Sequence, residues 1–103
     1  MNYHNESPLL FVHFFLQSKY IPDFPYGDRI TIKNMLQHTS GIPDFSELDP
    51  FSSNQAKEWK PNELVGLLKE YLTSHSLDFD PGTKGVYSNS NFMILGVIID
   101  GTG

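Results

Sequence analysis

The sequence predicts a mainly α chain, and three observations carry that expectation. Residues 61 to 72, PNELVGLLKEYL, place Leu64, Leu67, Leu68, Tyr71 and Leu72 on one face at helical spacing. Residues 31 to 36 set Ile32, Met35 and Leu36 at the i, i+3, i+4 positions behind a threonine able to cap a helix. Between such segments proline and glycine punctuate long irregular connectors.

In chain order, the first strongly apolar run is LLFVHFFL at residues 9 to 16. Glu6 and no basic residue precedes it, and no small-residue cleavage site follows, so it makes a poor signal peptide and is far too short to span a bilayer. A buried strand or helical turn is the plain reading. YIPDFPYGDR at 20 to 29 holds two prolines and a glycine, which excludes a helix interior. Thr31 then opens a short helix that Gly41 and Pro43 close. From Pro43 to Lys60 the chain is loop-like, with Phe45, Phe51 and Trp59 as aromatic anchors. Pro61 suits the first position of the long helix that follows. SHSLDFDPGTKG is a loop with a tight turn at Pro81-Gly82, in which Asp78 and Asp80 read as turn residues. Periodicity leaves residues 92 to 99, FMILGVII, open between buried strand and buried helix. The β-branched Val97, Ile98 and Ile99 lean towards strand, and a cap at Ser90 leans towards helix. An apolar segment of this kind needs cover on all its sides, more than so few helices provide.

Composition excludes several function classes. Twelve acidic against seven basic residues give a formal charge of −5, the wrong sign for a surface that neutralises phosphates or sits on anionic lipid. No nucleic-acid partner is expected. With no cysteine there is no disulfide, thiolate metal site or thiol nucleophile. His4, His13, His38 and His75 lie too far apart for the usual local ligand pairs, so neither metal nor other cofactor is expected.

The remaining polar cluster is YSNSN at residues 87 to 91, between DPGTKG and the apolar run. Read alone, Tyr87 is a packing aromatic before a helix, and Asn89, Ser90 and Asn91 are groups that cap its first turn. Three stretches together say more: SKYIPDFPYGDRITIKNMLQHTSGIPDF at 18 to 45, the helix PNELVGLLKEYL, and FDPGTKGVYSNSNFMILGVIIDGTG at 79 to 103. They resemble the serine β-lactamase-like superfamily, in its branch of class C β-lactamases, penicillin-binding carboxypeptidases and related esterases. The resemblance divides the chain into an unmatched segment at 1 to 17 and a partial domain at 18 to 103. It implies the helical subdomain of an α+β fold, with helices near 31 to 39, 61 to 73 and 90 to 100.

In that family an S-x-x-K serine is the nucleophile, with the lysine one helical turn away and close enough to influence its proton. The tyrosine of Y-x-N shuttles protons, its asparagine holds substrate or the lysine, and K-T-G or H-x-G on a strand binds the substrate's carboxylate side. The resemblance assigns Tyr87 the catalytic tyrosine position and Asn89 the substrate-binding asparagine position, with Ser88 variable between them. It reads His38-Thr39-Ser40-Gly41 as a structural helix end. The other two motifs are missing: the residues three places before the six lysines are Leu16, Ile30, Asn54, Lys57, Gly66 and Pro81, none a serine, and no K-T-G or H-x-G occurs.

A free tyrosine ionises near pH 10, so a tyrosine base needs cations beside it. Lys84, in a turn, is the only cation within a few residues of Tyr87. The expectation is an internal fragment or truncated product of a serine hydrolase acting on an amide, ester or β-lactam, inactive alone. Its partner is a small-molecule or peptide substrate of the full-length protein, with no membrane span. Family members are often exported to the cell envelope. The alternative is a non-catalytic remnant or small interaction module that uses its aromatic residues as a binding surface.

Overall fold

The computed structural model describes residues 20–102; the segment at 1 to 17, with its apolar run at 9 to 16, lies outside the described residues. Among the described residues three helices follow one another, α1 (Ile32–Leu36), α2 (Pro61–Ser74) and α3 (Asn89–Thr102), with 3-10 turns at Gly27–Arg29 and Phe45–Glu47. No strand occurs among the described residues, in keeping with the mainly α expectation. α3 packs against both α1 and α2, and Ile30, Met35, Leu68 and Ile94 are fully enclosed at the junction.

A five-residue helix is not stable by itself, so α1 depends on its ends and its packing. Thr31 Oγ1 accepts the N–H of Asn34 (3.0 Å), and Asn34 Oδ1 accepts the N–H of Thr31 (2.9 Å), a reciprocal capping box. At the other end the N–H of His38 bonds to Met35 O (3.3 Å) and that of Thr39 to Asn34 O (2.7 Å), the paired pattern of a Schellman end. His38 occupies the left-handed position (φ 57°) that glycine usually fills. The helix therefore stops at Leu36, short of the expected residue 39.

α2 starts with Pro61 at its first position and Glu63 Oε1 accepting the N–H of Lys60 (2.9 Å). It buries Leu64, Val65, Leu67, Leu68 and Leu72, each contributing about 1.5–3 kcal/mol. Tyr71 is half-buried and stacks on His75 (4.0 Å). Ahead of α2, Phe45 meets Phe51 (5.1 Å), Phe51 meets Trp59 (5.7 Å), and the Lys57 ammonium lies over the Trp59 ring (4.1 Å).

The apolar run is helix. Val97, Ile98 and Ile99 lower helix propensity by at most about 0.7 kcal/mol each, less than the burial of Ile94 and Ile98 contributes. The cap is not Ser90 as expected but Ser88, whose Oγ accepts the N–H of Ser90 (3.2 Å). On the far side of α3, Phe92 and Ile99 are 52% and 68% exposed, and with Leu36 (49%) they line an apolar groove of about 690 Å³ between α1 and α3.

Behind His38 the chain turns at Gly41 (φ 83°), whose carbonyl accepts the N–H of Asp78 (2.8 Å). A side chain at Gly41 would run into the carbonyl of Phe79, whereas one at Gly66 on the exposed side of α2 would meet nothing. Gly41→Ala is expected to destabilise the chain by at least about 2 kcal/mol, from left-handed strain plus displacement of the 77–80 segment. Gly66→Ala is expected to stabilise it by about 0.4–1 kcal/mol through a less flexible unfolded chain. Urea titration of the two variants beside the wild type measures both signs.

Candidate functional site

The backbone N–H groups in the first turn of α3 have no carbonyls behind them and must find acceptors elsewhere. Asn89 N–H donates to Asp44 Oδ2 (3.0 Å), Ser90 N–H to Ser88 Oγ (3.2 Å), and Asn91 N–H to Ser88 O (3.1 Å). Every one of these acceptors lies in Y-S-N-S-N or in the loop after α1.

Tyr87 stands just before this turn. Its ring stacks on His38 at 4.6 Å with 30° between the planes, and Phe92 approaches its edge (6.0 Å). The hydroxyl donates to Asn89 Oδ1 (2.9 Å), and the residue is 60% exposed. Tyr87 is thus held by contacts on one face and open on the other, at the rim where Phe92 begins the apolar groove. A smaller pocket of about 110 Å³ beside it is lined by Asp44, Glu47, Asp78 and Phe79.

Asn89 is held by Asp44, which accepts both its backbone N–H and its Nδ2–H (3.1 Å) on Oδ2. The other carboxylate oxygen accepts the N–H (2.9 Å) and hydroxyl (2.7 Å) of Ser46. Burial pushes the Asp44 carboxyl up, but the donors from Asn89 and Ser46 together outweigh it and hold the group below the ordinary aspartate value. Its negative charge also faces the positive end of the fourteen-residue α3.

Beneath Tyr87 lies a buried polar chain. His38 Nδ1 accepts the N–H of Ser88 (3.2 Å) and lies 3.1 Å from Asn91 Nδ2, so its lone pair is on Nδ1 and its proton on Nε2. Asn91 Oδ1 accepts the hydroxyl of Ser40 (2.6 Å), and Ser40 Oγ accepts the N–H of Ile42 (3.1 Å). Ser90 Oγ donates to Pro43 O (2.6 Å) and accepts the N–H of Phe45 (3.0 Å). Ser40, Ser90 and Asn91 are each at most 1% exposed, and each is hydrogen-bonded within this chain of groups.

The two residues singled out by the sequence, Tyr87 and Asn89, are therefore hydrogen-bonded to each other and face the same open side. Asp44 and His38, which hold them, were missed as members of this cluster. The only signal was their place within QHTSGIPDF, where an acid and a histidine read as loop and helix end. Lys84 is exposed in the turn, and Asp80 pairs with Arg29 (2.9 Å). No group of His, Asp and Glu able to hold a metal occurs among the described residues, nor does any helix long and apolar enough to cross a membrane.

Because folding lowers the Asp44 value, the stability it brings is fully present above about pH 4 and is lost as pH falls through the folded value. Asp49 and Glu63 are also lowered, by hydrogen bonds from Ser52 and Lys57 respectively, and behave alike with or without Asp44. Wild type is expected to lose more stability than Asp44→Asn between pH 6 and pH 3, checked by urea midpoints at each pH.

Comparison with known proteins identifies the family. The family model described as Beta-lactamase matches residues 7–102, a span that begins inside the segment the motifs left unassigned. A probable fimbrial assembly protein, FimD, of Dichelobacter nodosus is 34% identical over 79 residues, 77% of this chain and 19% of that protein. A putative D-alanyl-D-alanine carboxypeptidase of Salmonella agona is 33% identical over 94 residues, 82% of this chain and 21% of that protein. The chain thus spans about a fifth of the length of these curated relatives. Among solved structures, a D-stereospecific amidohydrolase from Streptomyces superposes with a TM-score of 0.63 at 30% identity, over 82% of this chain and 28% of that one. Motif, helical packing and family model agree, and the chain belongs to the β-lactamase family, its described residues forming a helical part of that fold.

Proposed function

We propose that the chain contributes the Y-x-N corner of a serine acyl-transfer site, in a hydrolase acting on an amide, peptide, ester or β-lactam carbonyl. In this reading a serine hydroxyl supplied by an S-x-x-K segment attacks the carbonyl carbon, and its proton passes by way of Tyr87 to the departing amine or alcohol. The acyl group is left on the serine oxygen, and water then releases the acid and restores the hydroxyl. Asn89 has one amide N–H and one oxygen lone pair beyond those used by Asp44 and Tyr87, and these position substrate or the lysine.

The observation that carries the reading is the placement of Tyr87. A tyrosine serving only to pack would turn its ring inward, whereas this one is 60% exposed, stacked on His38 and hydrogen-bonded to the motif's asparagine. It borders an apolar groove able to receive a further element of the fold. The carboxypeptidase and amidohydrolase among the similar proteins favour amide or peptide substrates. The same groove also suits the second reading, a non-catalytic interaction module with Leu36, Phe92 and Ile99 as its contact face.

The chain alone is expected to show no burst with a chromogenic β-lactam or a nitrophenyl ester, because no S-x-x-K serine is present. In a polypeptide extended through its reading frame to include S-x-x-K and K-T-G or H-x-G, Tyr87→Phe is expected to slow acylation by about 10²–10⁴. Acylation at the unaltered rate in that variant would overturn the catalytic reading, and stop codons on both flanks would favour the interaction module.

A further inference from the structure

We propose that Asp44 is a positioning residue for this corner: its carboxylate decides which way the Asn89 amide faces and, through it, where Tyr87 directs its hydroxyl proton. The proposal rests on the reading of Tyr87 and Asn89 as site residues for its catalytic meaning, although the geometric relation stands by itself.

An asparagine side chain has two orientations of nearly equal shape that exchange a donor for an acceptor. Here a single carboxylate oxygen, Asp44 Oδ2, takes both the backbone N–H and the side-chain Nδ2–H of Asn89 (3.0 and 3.1 Å). An ionised carboxylate only accepts, so the amide nitrogen must face it, and the reversed orientation would set Asn89 Oδ1 against negative charge. Asn89 Oδ1 is therefore turned to the Tyr87 hydroxyl, 2.9 Å away. An amide oxygen also only accepts, which obliges Tyr87 to donate its proton to Asn89 and leaves the phenol's lone pairs on the exposed side. In that sense of hydrogen bonding, an ammonium or hydroxyl arriving from the open side finds an acceptor and not a competing donor.

Asp44 is itself immobilised from the other direction. Ser46 N–H and Oγ–H occupy its second oxygen (2.9 and 2.7 Å), at the entrance to the Phe45–Glu47 turn. The carboxylate thus ties the loop after α1 to the first residue of α3, and all four of its hydrogen bonds are used in holding it at one point.

The test is nuclear magnetic resonance on the whole chain, following the Asn89 side-chain amide pair, the Tyr87 hydroxyl proton and core methyl groups such as those of Leu68 and Ile94. In Asp44→Asn the Asn89 amide pair is expected to shift and the hydroxyl proton signal to be lost to faster exchange, while the core methyls stay in place. A folded Asp44→Asn with the amide pair and hydroxyl unchanged overturns the proposal. If that variant does not fold, the wild-type chain answers the same question. The Asp44 carboxyl carbon, the Asn89 amide and the Tyr87 ring should share one midpoint, that of the Asp44 carboxyl, with Glu47 and Asp78, which line the same small pocket, followed separately through their own carboxyl carbons. Separate midpoints overturn it. In the extended polypeptide, Asp44→Asn is expected to lower the acylation rate by about 10²-fold with little change in KM, the cost of a misplaced group. If Asp44→Asn moves the Asn89 and Tyr87 signals but Tyr87→Phe acylates normally, the positioning relation holds and the catalytic reading is what fails.

Discussion

The structure depends on how the N-terminus of α3 is satisfied. A helix that starts inside a protein brings bare N–H groups with it, and leaving one without a partner costs about 1–3 kcal/mol. Here the loop from His38 to Phe45 wraps that terminus. It accepts through Asp44 Oδ2 and His38 Nδ1, and it takes up the buried side chains of Ser90 and Asn91 through Pro43 O, Phe45 N–H and the Ser40 hydroxyl. One polar clasp therefore joins α1 to α3, and the apolar core of Ile30, Met35, Leu68 and Ile94 closes beneath it.

The same clasp shapes the candidate site. His38 leaves α1 in a left-handed conformation, which lets the chain reverse and brings its ring under Tyr87. Its Nδ1 is engaged by Ser88 and Asn91, so the imidazole is a fixed platform. A tyrosine backed by such a platform and tethered through Asn89 to Asp44 presents its hydroxyl in one direction with little entropy left to lose. Buried, hydrogen-bonded groups thus support exposed groups with spare hydrogen-bonding capacity.

The apolar groove has a different origin. α3 is apolar on nearly all sides; among the described residues α1, α2 and the Phe45–Glu47 turn pack on it, and Phe92, Ile99 and Leu36 line a groove between α1 and α3. Its continuity with Tyr87 through Phe92 places the hydrophobic bed and the polar corner on one face of the molecule.

Much of this was legible in the sequence. The periodic leucines and Pro61 determined α2, and Thr31 and the following residues determined the start of α1, local signals set by helical geometry and capping chemistry within a few residues, while Tyr87 and Asn89 were marked by the family resemblance alone. What tertiary structure decided was non-local. It made residues 92 to 99 a helix although β-branched residues favoured strand, because packing on α1 and α2 outweighs a weak intrinsic preference. It moved the cap to Ser88 and committed Ser90 to a loop carbonyl. Out of twelve acidic residues it chose Asp44, 45 positions away from Asn89, to neutralise the helix end. No pattern within the chain specifies such a partner, since an exposed N–H donates to any anion, and only the folding back of the loop determines which one arrives.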